Sequence, residues 1–235
     1  MYEVKHMPTY EGIRLRIQKF LRPKLAARRR AQLKNHTFTI ISNNCWGGTV
    51  YESYGLQKQS PTVGLFFMPA DYIRFVSRLD EYLRAELTFI PPEDSRWKAA
   101  PQVSGDKRFG RYPVGRLSLG DENVEIFFLH YHSESEAQEK WTRRCARVDK
   151  RRMIVKFNDQ NGCESTHIEA FARLPYAHKL FFTARDWPDA DCYRAAENLT
   201  YRRIRQVPAG DFVRASFEPF GRLGALDVTG YINSL

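Results

Sequence analysis

The sequence predicts an α/β domain of three layers, a mostly parallel sheet with helices on both faces in the Rossmann-like manner, preceded by a basic N-terminal helix. Three observations predict it. Short apolar runs alternate with amphipathic helical stretches, the pattern of βαβ units. Within the runs, apolar residues are consecutive, as they must be where a parallel strand is buried on both faces. The 235-residue chain is 43% hydrophobic and 14% aromatic, enough to build a sizeable core.

The first element is basic. Residues 11–34 carry nine Lys and Arg against Glu11 alone, which accounts for eight of the ten net positive charges. Ile13, Ile17, Phe20 and Leu21 fall on one helical face, with cations on the others, and Pro23 interrupts the helix. Such an arm packs on its own domain, docks partner machinery, or lies on an anionic membrane surface. Without a recognisable nucleic-acid module beside it, nucleic acid is not expected. The division expected is residues 1–34 as arm and 35–235 as one α/β domain.

Thr37-Phe38-Thr39-Ile40-Ile41 reads as the first strand, rich in β-branched residues. It runs into Ser42-Asn43-Asn44-Cys45-Trp46-Gly47-Gly48, with a helix around 50–54. Thr62–Phe67 is a second apolar run. Tyr72, Phe75, Val76, Leu79 and Leu83 then line one face of a helix that reaches about Leu87. Residues 88–112, with Pro91-Pro92, Pro101 and Gly105, read as loop. A strand is expected over Asn123–Leu129. Ser133 and Glu136 form a capping box for the helix bearing Ala137, Trp141, Cys145 and Val148. Met153–Phe157 and Lys179–Thr183 are further strands, with a helix over Ile168–Leu174 between them. The last 35 residues show no clear pattern.

Several classes are excluded. No apolar run is long enough to span a bilayer, and Met1–Tyr10 lacks the apolar core of a secretory signal. The four cysteines form no CxxC pair, which argues against a zinc ribbon, and a disulfide scaffold does not suit this length. Reduced thiols in a cytoplasm are expected. No GxGxxG, GxxxxGK[ST] or GxSxG motif occurs.

In open α/β sheets ligands bind beyond the carboxyl ends of the strands. Four predicted strand ends carry suitable groups: Asn43, Asn44 and Cys45; His130 and His132; Asn158 and Asp159; Arg185 and Asp186. Cys45 before a helix is a candidate nucleophile, since the positive helix end favours a thiolate. Gly47 and Gly48 would let backbone approach a ligand. Asn43 and Asn44, with Ser42 and Trp46 beside them, would bind substrate or steady an oxyanion. His130 and His132 would project to one side of an extended strand end and supply a general base. Asp159 and Arg185 complete the expected cleft, Arg185 as a clamp for phosphate or carboxylate. No metal site is expected. The competing reading makes the loop a tight strand-to-helix turn with Cys45 a small buried residue.

Five blocks carry a resemblance: Phe38–Gly48, Ser60–Phe67, Tyr112–Gly115, Phe128–Tyr131 and Glu136–Trp141. In that order they resemble the bacterial domain-of-unknown-function family nineteen-nineteen, connected with exopolysaccharide biosynthesis, over roughly residues 35–205. The resemblance implies an α/β fold and a role in surface-polysaccharide assembly, but no catalytic residues. Asn44-Cys45 before a helix is also similar to the Gly-Asn-Cys-Gln turn of WcbI-type capsule proteins, which bind coenzyme A; here the flanking Gly and Gln are absent.

The function expected is a transferase that modifies a cell-surface glycan, with acyl transfer the favoured chemistry. Glycosyl or sugar-phosphate transfer, or a non-catalytic adaptor role, are the alternatives. The expected partners are a glycan or sugar, a co-substrate such as coenzyme A or a nucleotide-sugar with no tightly bound cofactor, and the inner face of the membrane or its assembly machinery.

Overall fold

The computed structural model describes residues 25–204, 222–223 and 226–235. At its centre lies a sheet of four parallel strands: β1 (Thr39–Ser42), β5 (Met153–Asn158), β6 (Lys179–Thr183) and β7 (Leu199–Arg203), hydrogen-bonded in that order. Ser42 stands opposite Lys156, and Asn158 opposite Phe182. All six residues of β5 and all five of β6 are buried, which explains their near-continuous apolar sequence.

Alternation along the strands divides the core in two. Ile40, Ile154, Leu180 and Phe182 face α1 (Trp46–Tyr54) and the C-terminal helix, Val228–Asn233. Ile41, Val155, Phe157 and Phe181 face α2 (Pro69–Ser77), and behind it the helices Glu134–Cys145 and Ser165–Arg173. Aromatic rings fill this second half: Phe157 stacks on Tyr72 at 5.7 Å and on Phe181 at 5.9 Å. The Tyr72 hydroxyl lies 2.9 Å from the Ile41 carbonyl and 2.8 Å from that of Lys156, so it bridges β1 and β5.

The expected sheet is present, but it is smaller than a mostly parallel reading of every apolar run implies. The chain between β1 and β5 builds a second, antiparallel sheet, β2 (Leu87–Ile90), β3 (Val114–Leu119) and β4 (Glu122–Phe127). The stretch expected as loop therefore supplies β2, a 3-10 turn at Pro92–Asp94 and the short α4 (Pro101–Ser104). The β3–β4 register leaves only Gly120 and Asp121 in the turn, with Gly120 at φ 61°. That is the positive φ a two-residue hairpin requires. Thr62–Phe67 is not a strand of the sheet: it turns at residues 61–64 and makes one bridge, Phe66 to Phe127. The long helix expected to reach Leu87 breaks at Arg78 (φ −128°), restarts as α3 (Leu79–Tyr82) and ends before β2. The helices that follow are α5 (Glu134–Cys145), α6 (Ser165–Arg173), α7 (Cys192–Ala195) and α8 (Val228–Asn233).

Most of the basic arm lies outside the described residues, including its apolar face at Ile13, Ile17, Phe20 and Leu21 and the break at Pro23. Its last part is packed. Residues 25–30 are helical, Arg29 donates to the Ser53 carbonyl and Arg30 to that of Gly55, so two arm cations close the C-terminal end of α1. Among the described residues no helix is long and apolar enough to cross a membrane.

Candidate functional site

β1 ends at Ser42 and α1 begins at Trp46, so three residues make the turn. Asn43 extends the β1–β5 ladder with its side chain. Its Nδ2 donates to the Asn158 carbonyl at 3.2 Å, and its Oδ1 accepts from the Asn158 N–H at 3.1 Å. Asn44 holds the helix start. Its Oδ1 accepts from the Trp46 N–H (3.1 Å), the Ser42 hydroxyl (3.2 Å) and the Lys156 amine (2.9 Å), while Nδ2 donates to Gln160 Oε1 (2.9 Å). Both amides are thus engaged in building the turn.

Gly47 and Gly48 are buried, and their missing side chains face protein. A Cβ on Gly47 would stand 3.1 Å from Ile40 Cγ2, and one on Gly48 only 2.9 Å from Val63 Cγ1. They bring α1 close to β1 and to the segment at Val63.

Within Ser42–Gly48 every residue is buried except Cys45, which is partly exposed. Its thiol lies 3.8 Å from the Leu65 carbonyl, and its surroundings exclude enough water to raise its pKa to about 11. Positive charge on Lys156 opposes that rise most, followed by Arg108, whereas Glu52 adds to it. As the N-cap of α1, Cys45 makes no side-chain cap bond; its thiol donates instead to the Leu65 carbonyl.

Sequence reasoning missed Lys156. It occupies β5 in an otherwise apolar context, is fully buried, and sits over the rings of Phe182 (5.2 Å) and Trp46 (5.8 Å). Burial lowers its pKa well below the ordinary 10.5, opposed by Cys45 and Asp159. Asn158, two residues on, is also fully buried, and among the described residues neither its Oδ1 nor its Nδ2 has a partner. The available signal was a polar residue at strand positions whose neighbours are all apolar. Arg108 was missed as well. It is bound to Asp106 at the surface, yet its charge reaches both Cys45 and His130.

The remaining candidates separate. His130 and His132 belong to a turn after β4, not an extended strand end, because the Tyr131 N–H bonds back to the Phe128 carbonyl. Their side chains therefore need not share a side. His130 lies beside Gly64, where its N–H donates to the Gly64 carbonyl; desolvation and Arg108 lower its pKa. His132 is exposed, and its N–H is held by Glu136, which completes the start of α5 together with Ser133. Asp159 closes the turn after β6, accepting from Thr183 Oγ1, the Ala184 N–H and Trp187 Nε1. Arg185 is exposed and stacks 3.8 Å from the Trp187 ring centre, while Asp186 pairs with Arg194 and Arg203.

A cavity of about 620 Å³ lies at the opposite ends of β6 and β7, lined by Tyr176, Lys179, Cys192 and Glu197 among others. Its lysine amine is spent on the Ala172 and Leu174 carbonyls, and it is remote from the strand ends where the polar groups collect. Among the described residues no three His, Cys, Asp or Glu are arranged to hold a metal ion.

The profile of a protein family described as "Domain of unknown function (DUF1919)" matches residues 16–207. The chain belongs to this family. It is also 34% identical over 157 residues to an uncharacterised protein of Haemophilus influenzae, an alignment covering 67% of this chain and 66% of that protein. The chain thus matches just under two thirds of that relative's length. The DUF1919 match takes in β1, the Cys45 turn, the antiparallel insert, and the strands bearing Lys156 and Asn158.

Proposed function

We propose that this chain transfers an acyl group from an activated thioester to a hydroxyl of a surface-polysaccharide precursor, through Cys45. One observation carries the reading: the only partly exposed residue of the turn is a thiol, and the basic side chain acting on it most strongly is that of a buried lysine. Burial holds the thiol pKa up and the amine pKa down, which brings the two groups closer in proton affinity. That is the pairing from which a proton passes from sulfur to nitrogen as attack begins.

In the first step Cys45 Sγ bonds to the acyl carbon, its proton moves to Lys156 Nζ, and the donor carbon–sulfur bond breaks. The departing thiolate takes that proton and leaves as a thiol. In the second step the acceptor hydroxyl attacks the Cys45 thioester, and its proton returns through Lys156 to sulfur. The positive end of α1 lowers the energy of the thiolate between these events. The co-substrate is a coenzyme A thioester, loosely held. The acceptor is met at the inner membrane face, approached through residues 11–34.

Incubation with a panel of short acyl-coenzyme A thioesters, followed by intact-mass measurement, tests this. One hydroxylamine-labile acyl group is expected on the wild type and none on Cys45→Ala, with loading in Lys156→Met slowed at least tenfold. Unmodified wild-type protein across the panel sinks the proposal. Sugar transfer from a nucleotide-sugar is the second reading, favoured by the reach of Arg108 to the thiol and to His130. It requires nucleotide-sugar binding that survives Cys45→Ala and is lost in Arg108→Gln.

A further inference from the structure

We infer that the Asn158 carboxamide is the acceptor contact, and that it takes a sugar through two adjacent hydroxyls. The inference rests on the acyl-transfer reading and names the acceptor's chemistry. Asn158 is the last residue of β5 and fully buried. Its backbone N–H and carbonyl are both taken by Asn43, but its side chain has no partner at either polar atom. A buried donor or acceptor left unpaired costs about 1–3 kcal/mol. Folding alone offers no compensation here, because an apolar side chain would fill the same place without that cost.

The position points to the site. Strand alternation puts the Asn158 side chain on the same sheet face as Lys156 and Ile154, the face that carries Trp46 and α1. Two strand residues advance roughly 6.6 Å, a distance that suits groups across one pyranose ring. Among the described residues the Lys156 amine has one hydrogen-bond partner, Asn44 Oδ1, which leaves it capacity for a hydroxyl. Cys45, Asp159 and Gln160, beside the cluster in the chain or bonded to it, are partly exposed.

The ligand class follows from what a carboxamide presents. Oδ1 needs a donor and Nδ2 an acceptor, side by side in one plane. Adjacent sugar hydroxyls supply both. A phosphate would leave Oδ1 unpaired, and an acyl chain would leave both atoms unpaired. The reacting hydroxyl then faces Lys156 and the Cys45 thioester, while its neighbours are held by Asn158.

Saturation-transfer NMR on the full chain, with methyl α-glucoside, methyl α-mannoside and methyl α-galactoside as probes, tests the subsite. At least one glycoside binds the wild type. Asn158→Leu weakens it tenfold or more while raising the melting temperature by roughly 2–4 °C, the shift expected when one orphaned group is removed from a chain of this size. Asn158→Ala serves as the second variant; a deoxy analogue lacking one contacted hydroxyl weakens wild-type binding but costs Asn158→Ala nothing further. No binding of any glycoside to the wild type, or undiminished binding in both variants, overturns the inference. Acyl loading of wild-type Cys45 is scored separately. Asn158-dependent glycoside binding without loading removes the acyl chemistry and leaves the sugar subsite standing.

Discussion

Gly48 shows how a single missing side chain sets the shape of the turn. Alanine in place of a helical glycine ordinarily gains up to about 0.5–1 kcal/mol, and less in the first turn, where Gly48 lies. Here the added carbon would stand 2.9 Å from a methyl of Val63, a stiff, buried, β-branched side chain. Overpacking of that kind costs about 1–3 kcal/mol, so the steric loss outweighs the helical gain. Gly48→Ala is expected to lower the urea midpoint, and by more than Gly47→Ala, whose nearest contact is 3.1 Å. Equal or higher midpoints for Gly48→Ala would return the glycines to a ligand-facing role. Cys45 reads differently at the same scale. The positive end of α1 favours its thiolate, but the low polarity around the sulfur wins, which is why its pKa rises.

The antiparallel insert is fastened by carboxylates. Asp71, in the first turn of α2, is fully buried and accepts from Trp97 Nε1 at 2.6 Å and from the Glu125 N–H at 3.1 Å; it also pairs with Arg96. Glu125, in β4, accepts from Ser95 Oγ at 2.6 Å and from Arg116 at 3.1 Å. Together these bonds sew the segment 92–97 and β4 onto α2. Removing one partner of such a cluster leaves the others buried and unpaired, at a cost of about 3 kcal/mol. Asp71→Ala is therefore expected to speed amide exchange across residues 92–97 and β4, leaving β5 and β6 protected. Uniform loosening of all strands would show instead that the insert and the parallel sheet open as one unit. The insert also supplies Arg108, whose charge acts on Cys45, so its fastening bears on that turn.

For the whole molecule, Lys156 links the site to stability. Its pKa is lowered in the folded chain and returns to about 10.5 on unfolding. Between those two values the unfolded chain binds more protons, so stability rises with pH through that window. Burial of this amine is consequently a burden at neutral pH that fades as pH approaches 10.5. Lys156→Met should stabilise the protein in urea at pH 7, with a smaller advantage at pH 10. A pH-independent difference would mean that the amine is charged in the folded state, and the proton transfer proposed for Cys45 would then lack its base.

The α/β class, the strands expected at Thr37–Ile41, Met153–Phe157 and Lys179–Thr183 and found at Thr39–Ser42, Met153–Asn158 and Lys179–Thr183, and the Ser133 helix start were legible from the sequence alone, because burial on both strand faces and capping chemistry act through near neighbours. The turn at Ser42–Gly48 was legible as a special place for the same reason. The antiparallel sheet was not: β2 and β3 are short, lie among prolines, and are fixed by partners 24 to 30 residues away along the chain. Nor was the chemistry of the turn. Asn43, Asn44, Gly47 and Gly48 look available in one dimension and are packed or bonded within the turn in three, while Lys156 looks like an interruption in a strand and Asn158 like one more polar strand end. Only the pairing of β1 with β5 carries those two from more than a hundred positions away to the foot of the Cys45 turn. Burial and unpaired polarity are properties of that assembly, and no local pattern of residues encodes them.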